Sequence, residues 1–167
     1  FRFVFQTLCL LPFLAISRYL GRPRAEHAWL GGLIAGAILF LFWGLAHLPL
    51  ANNIALFFVE PLILVLFAAL FLGERITPRR WIGVFGGLAG AVIVLRPNWS
   101  AYGLASVLPI ASATCYAGYL TLTRARIRTT EPREALALQH WVGWAAIIVM
   151  GAFVLVGQAA GWTITAW

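Results

Sequence analysis

The sequence predicts an all-α fold, a polytopic transmembrane helix bundle with about six spanning helices, and three observations predict it. Of the 167 residues, 62% are hydrophobic and only 10% are charged, against roughly 45–50% and about 25% in an ordinary soluble domain. A core this apolar, with a mean hydropathy of +0.91, leaves too little polar surface to face water, so lipid is its solvent. The apolar residues also fall into separate runs, at about 3–17, 28–48, 50–72, 81–95, 102–123 and 136–157. Finally, the charge sits almost wholly between those runs, as twelve Arg and five Glu with no Lys or Asp. A closed β-barrel would instead need polar and apolar residues alternating in segments of about ten. These runs are continuously apolar, so they are helices.

The first run, 3–17, is too short to span alone and follows Arg2, whose guanidinium is read as snorkelling to the outer surface; an anion-binding role is the competing reading. No pattern of basic head, short apolar core and small-residue cleavage site opens the chain, which reads as part of something longer. The second run, 28–48, has the length of a span and carries Trp43. The third, 50–72, contains a contradiction in "FFVEPLILVLFAALFLGERITPRRW", residues 57–81: Glu60 and Pro61 lie in its middle. Gly73 follows it at a typical helix-ending position. Thr77 and Pro78 then read as the cap and first position of the next helix, which makes Gly73, Glu74 and Arg75 a tight structural turn. In the fourth run, Gly83/Gly87 and Gly86/Gly90 form overlapping small-xxx-small pairs, read as helix-packing contacts. The fifth and sixth runs again have spanning length.

Arginine position orients the bundle, because Arg and Lys in short loops favour the cytoplasmic side. Loops 18–27, 73–80 and 124–135 hold ten arginines, and the opposite helix ends hold only Arg2 and Arg96. These three loops are therefore expected in the cytoplasm, with the first helix running inward. Trp99, Tyr102, Trp162 and Trp167 fall near the outer boundary and Trp29 and Trp81 near the inner one, where amphipathic rings settle. A net charge of +7 could indicate nucleic acid, but arginines clustered between spans have a topological reason, so no nucleic-acid partner is expected. Cys9 and Cys115 show no disulfide or metal-ligand spacing.

A helix with a mid-span proline followed by "LFLGERITPRRWIGVFGGLAGAVIVLRP" resembles the EamA-type drug/metabolite transporter (DMT) superfamily, and "FRFVFQTL" resembles that family's second helix. The specific part of the likeness covers residues 50–97. It implies a ten-helix transporter of two inverted repeats. Residues 1–97 would then be most of the first repeat (helices two to five), and 98–167 the truncated start of the second (helices six and seven). It also implies a multi-pass protein of the plasma membrane, the inner membrane in a bacterium.

Glu60 lies about ten residues, roughly 15 Å, from either end of its run. A charged side chain at that depth costs about 2.5–3.5 kcal/mol on insertion scales, so such residues usually face a bundle interior or a wet cavity. Glu60 is read as a substrate-contacting or proton-coupling carboxylate, against a structural one bonded to a neighbouring helix. Pro61 removes a backbone hydrogen bond and frees a carbonyl near Phe57, for substrate contact or simply as a packing kink. Asn53 shares the Glu60 helix face, and interhelical bonding is its stronger reading. Ser112, Tyr116 and Tyr119 fall on one face of the fifth run, with Tyr116 near its centre. Tyr116, Trp43 and His140 complete a candidate substrate pathway; the competing readings are interhelical bonding for Tyr116 and interfacial placement for Trp43 and His140. His27 and His47 are expected to face solvent. Glu74 is expected to pair with Arg79 or Arg80, or to interact with the next helix start.

The leading functional class is a secondary transporter of a small organic molecule, driven by an ion gradient, with a proton as one candidate, or by exchange. A membrane-embedded enzyme or a channel-like protein, with Glu60 as a buried polar centre, is the alternative. No nucleophile–base pair, carbonyl-lined filter, metal cluster or cofactor motif is visible, so no enzyme activity, metal or cofactor is expected. The partners are lipid and the small-molecule substrate. Were six helices the whole protein, a homodimer would take the place of the second repeat.

Overall fold

The structure is a computed structural model that describes residues 2–17, 25–73, 77–95, 103–128 and 131–159. Glu74, Arg75, Trp99, Tyr102, Trp162 and Trp167 lie outside the described residues. All regular elements among the described residues are helical: α1 (Arg2–Ser17), α2 (Ala25–His47), α3 (Leu50–Phe57), α4 (Glu60–Leu72) and α5 (Pro78–Leu95). A 3₁₀ turn (Gly103–Ser106) then leads into α6 (Val107–Ile127), followed by α7 (Pro132–Ala159).

Four stretches among the described residues are long and apolar enough to cross a membrane: Ala25–His47, Leu50–Leu72, Gly103–Ile127 and Glu134–Gln158. These are the four runs of spanning length in the sequence. Only 22–33% of each window is buried within the chain. Large exposed side chains such as Phe42, Leu70, Phe71, Ile148 and Leu155 would be anomalous in water but are ordinary against acyl chains.

The ends of α6 and α7 run past the apolar segments. α6 continues through Arg124 and Arg126 to Ile127, and α7 starts at Pro132, so much of the expected 124–135 loop is helix. Arginine is a good helix former, and a cation in the last turn complements the helix dipole. Arg126 in addition forms a 2.9 Å ion pair with Glu26 at the start of α2.

The chain divides into two compact units, Phe1–Ala35 with Leu122–Trp167, and Gly36–Thr121. In the first, α1 packs along α7, and Leu30, Ile34, Ala137, Val142 and Ala146 are buried. A Cβ added to Gly31 of α2 would collide with the Ala145 methyl and come within 3.0 Å of the Ala146 nitrogen and the Val142 carbonyl of α7. Only glycine lets these two backbones approach so closely.

In the second unit, α6 is held to α2 by Ser112, whose hydroxyl donates to the Ala37 carbonyl. Asn53 of α3 donates to the Leu41 carbonyl of α2 at 3.1 Å. Gly44 of α2 accommodates the Asn53 amide and the Pro109 ring, both of which an added Cβ would crowd. α5 touches α3 and α4.

Capping residues set the turn after α4. Gly73 adopts φ 62° and ψ 22°, the left-handed region that glycine enters without a Cβ penalty, and its N–H reaches the Ala68 carbonyl. α5 begins at Pro78, and the Thr77 carbonyl accepts the Arg80 N–H at 2.9 Å.

Candidate functional site

The third span is broken where Pro61 demands it. α3 ends at Phe57 and α4 begins at Glu60. The Val59 N–H turns to the Leu56 carbonyl at 3.3 Å, and the Val59 carbonyl receives both Leu62 and Ile63 at 3.0 and 3.1 Å. These shortened bonds tighten the turn one step before the proline. Pro61 has no N–H, so the Phe57 carbonyl loses its usual i+4 donor.

Glu60 opens α4 at this break. It is half-buried, and its Oε1 is buried with no hydrogen-bond partner among the described residues. A clasp through this oxygen would require a donor, and none reaches it among the described residues. Aromatic surface lies one turn away: the Phe57 and Tyr116 rings are 6.1 Å apart at 46°, and Tyr116 and Tyr119 are 6.3 Å apart at 31°. Ring-lined surface with an unsatisfied acceptor nearby suits a planar molecule that carries an N–H or O–H donor.

The other candidates separate by what they touch. Asn53 is 1% exposed and is engaged between helices through Leu41 and Gly44. Ser112 is likewise occupied across helices by Ala37. Trp43 is 40% exposed, and its carbonyl accepts the His47 Nδ1–H at 3.0 Å. His47 is exposed as expected, whereas His27 is half-buried. His140 is 3% exposed and belongs to the first unit, where Trp144 donates to its Nε2 at 3.1 Å.

Gly83, Gly86, Gly87 and Gly90 are exposed, and a Cβ on any of them would meet no atom within 4 Å. Among the described residues, the close helix approaches fall at Gly31 and Gly44. Spacing shows that a small face exists; it does not name the helix that fills it. Sequence reading also passed over Gln6, whose amide reaches the carbonyl and side chain of Gln139 at 3.5 Å, and Thr121, buried and bonded to Ala117 at 2.8 Å. Polar residues that satisfy a backbone one turn away, as Thr121 does, carry no distinguishing sequence signal.

Residues 1–96 match the EamA-like transporter family. The chain belongs to that family. This EamA-family chain is 29% identical over 157 residues to a riboflavin transporter of Brucella anthropi, covering 79% of the chain and 55% of that protein. It is 34% identical over 132 residues to a riboflavin transporter of Rhizobium johnstonii, covering 77% of the chain and 43% of the relative. It also resembles the pseudopaline exporter CntI of Pseudomonas aeruginosa, at 36% identity over 78 residues, with coverage of 46% and 28%. The chain spans about half the length of the first two relatives. No solved structure matches it. Family and apolar helices together make it a multi-pass protein of the plasma membrane.

Proposed function

We propose that the chain is part of a secondary transporter that moves a small organic molecule across the membrane by alternating access, with Glu60 at the substrate site. The observation that carries this reading is the buried, unpartnered Glu60 oxygen at a helix break inside a span. Broken helices at membrane depth are tolerated where they line a cavity or are buried in protein, and transporters commonly bind substrate at such breaks. Residues 1–97 act as most of one repeat and 98–167 as the start of the second. Loops 18–27, 73–80 and 124–135 face the cytoplasm. Transport rather than catalysis is the activity that family membership supports.

Two relatives are named as riboflavin transporters. A flavin ring is planar and carries an imide N–H between carbonyls, so it fits a site of tyrosine and phenylalanine rings with a free carboxylate oxygen. Riboflavin is therefore the first probe. In proteoliposomes, Glu60→Gln keeps the shape and removes the ionisation. If Glu60 couples a proton, the variant loses uphill, pH-driven movement and keeps exchange. Wild-type uphill transport and unchanged pH dependence in Glu60→Gln would reject the coupling role. Unaltered substrate affinity in Glu60→Ala would reject the binding role.

A further inference from the structure

The α1–α7 joint contains a buried imidazole that the Glu60 site does not use. His140 is 3% exposed, and its Nε2 lies 3.1 Å from the indole nitrogen of Trp144, one turn on. An indole N–H can only donate, so the nitrogen facing it must present a lone pair. A neutral imidazole with a bare Nε2 carries its proton on Nδ1. Nδ1 is buried without a hydrogen-bond partner among the described residues, and the ring lies against the backbone of Thr7 on α1.

The Trp144 hydrogen bond itself favours a ring with a bare Nε2. α1 carries no acidic residue. On α2, Glu26 is bound to Arg126. On α7, Glu134 stands six positions before His140, in the first turn of the helix. A second proton on Nε2 would set two donors against each other at 3.1 Å. Beside the ring, Gln6 of α1 reaches the Gln139 carbonyl and amide oxygens at 3.5 Å, while the Thr7 hydroxyl is bonded to Val4 of its own helix at 2.9 Å. Residues 6 and 7 of α1 thus meet 139 and 140 of α7 at one level.

We infer that His140 is a tautomer-locked positioning residue, neutral and protonated at Nδ1, which orients the Trp144 indole through Nε2 and turns its N–H toward α1. In this role it shapes the α1–α7 joint and does not carry protons or touch substrate. The assignment is independent of what is transported.

The test is ¹⁵N NMR of histidine-labelled full chain in lipid nanodiscs, in a His27→Asn/His47→Asn background that leaves one imidazole. The expected spectrum shows a neutral ring with the proton on Nδ1 and a hydrogen-bonded, unprotonated Nε2. Trp144→Phe, which keeps an aromatic ring and removes the N–H, is expected to move the ring toward the Nε2–H form. An Nε2–H or doubly protonated ring in the parent overturns the inference. So does a parent-like spectrum in Trp144→Phe, since a histidine that merely fills space would not respond. If that variant fails to fold, the parent spectrum decides.

Discussion

Glu60 and His140 are both titratable side chains inside membrane spans, yet their surroundings differ in one decisive respect. The Glu60 Oε1 has no hydrogen-bond partner among the described residues and sits where the helix ladder is interrupted. His140 lies within the unbroken α7, and its Nε2 is committed to Trp144. An unsatisfied buried acceptor costs free energy that a protein recovers only when something else, a substrate or a proton, supplies the donor. The His140 Nε2 has no such vacancy, although its buried Nδ1 does among the described residues. What separates the two is the interrupted backbone beside Glu60, which the unbroken α7 does not offer at His140.

The sharpest way to break this comparison is at the two side chains themselves. Glu60→Ala is expected to weaken substrate binding by about tenfold or more, equivalent to about 1.4 kcal/mol, measured as the substrate Kd in nanodiscs. Trp144→Phe leaves the vacancy at Glu60 intact, so it should keep substrate affinity within about threefold, under 1 kcal/mol. An equal loss in both variants would erase the distinction between the two regions.

Two glycines extend the contrast to packing. Gly31→Ala drives a methyl into Ala145 and two backbone atoms of α7, and overpacking of this kind costs about 1–3 kcal/mol. Gly83→Ala meets open space and should change stability by less than about 0.5 kcal/mol, as surface substitutions usually do. Thermal unfolding in detergent compares them. A destabilised Gly83→Ala would mean that the α5 face is covered in the assembled protein.

A smaller effect is expected at Asn53→Leu, which removes the donor to the Leu41 carbonyl. Interhelical hydrogen bonds in membranes average about 0.6 kcal/mol, so a modest drop in melting temperature should appear. Smallest of all is Glu26→Gln. The Glu26–Arg126 pair is about half exposed on each side, and such pairs contribute about 0–1 kcal/mol. That loss should shrink further in high salt.

Hydropathy alone located four spans to within a few residues, because lipid enforces apolar length on each helix independently of its neighbours. Capping chemistry was equally local. Gly73 can end the helix because, lacking a Cβ, it enters the left-handed region without penalty, and Pro78 can begin one because its missing N–H has no partner to lose. Pro61 announced its break for the same reason. The extension of α6 through Arg124 and Arg126 escaped the hydropathy pattern, since helical backbone continues wherever its residues tolerate it and does not stop at the edge of the lipid.

Contacts across helices were not legible in this way. Ser112 and Asn53 could have faced substrate or a neighbouring backbone, and the fold gave them Ala37 and Leu41. Five glycines in α2 and α5 look alike in sequence, yet Gly31 meets a backbone while Gly83, Gly86, Gly87 and Gly90 meet nothing within 4 Å. Local order follows from each residue's own backbone and solvent preferences, which the sequence states. A hydrogen bond or a close approach between helices depends on a second surface, which exists only once the chain has folded.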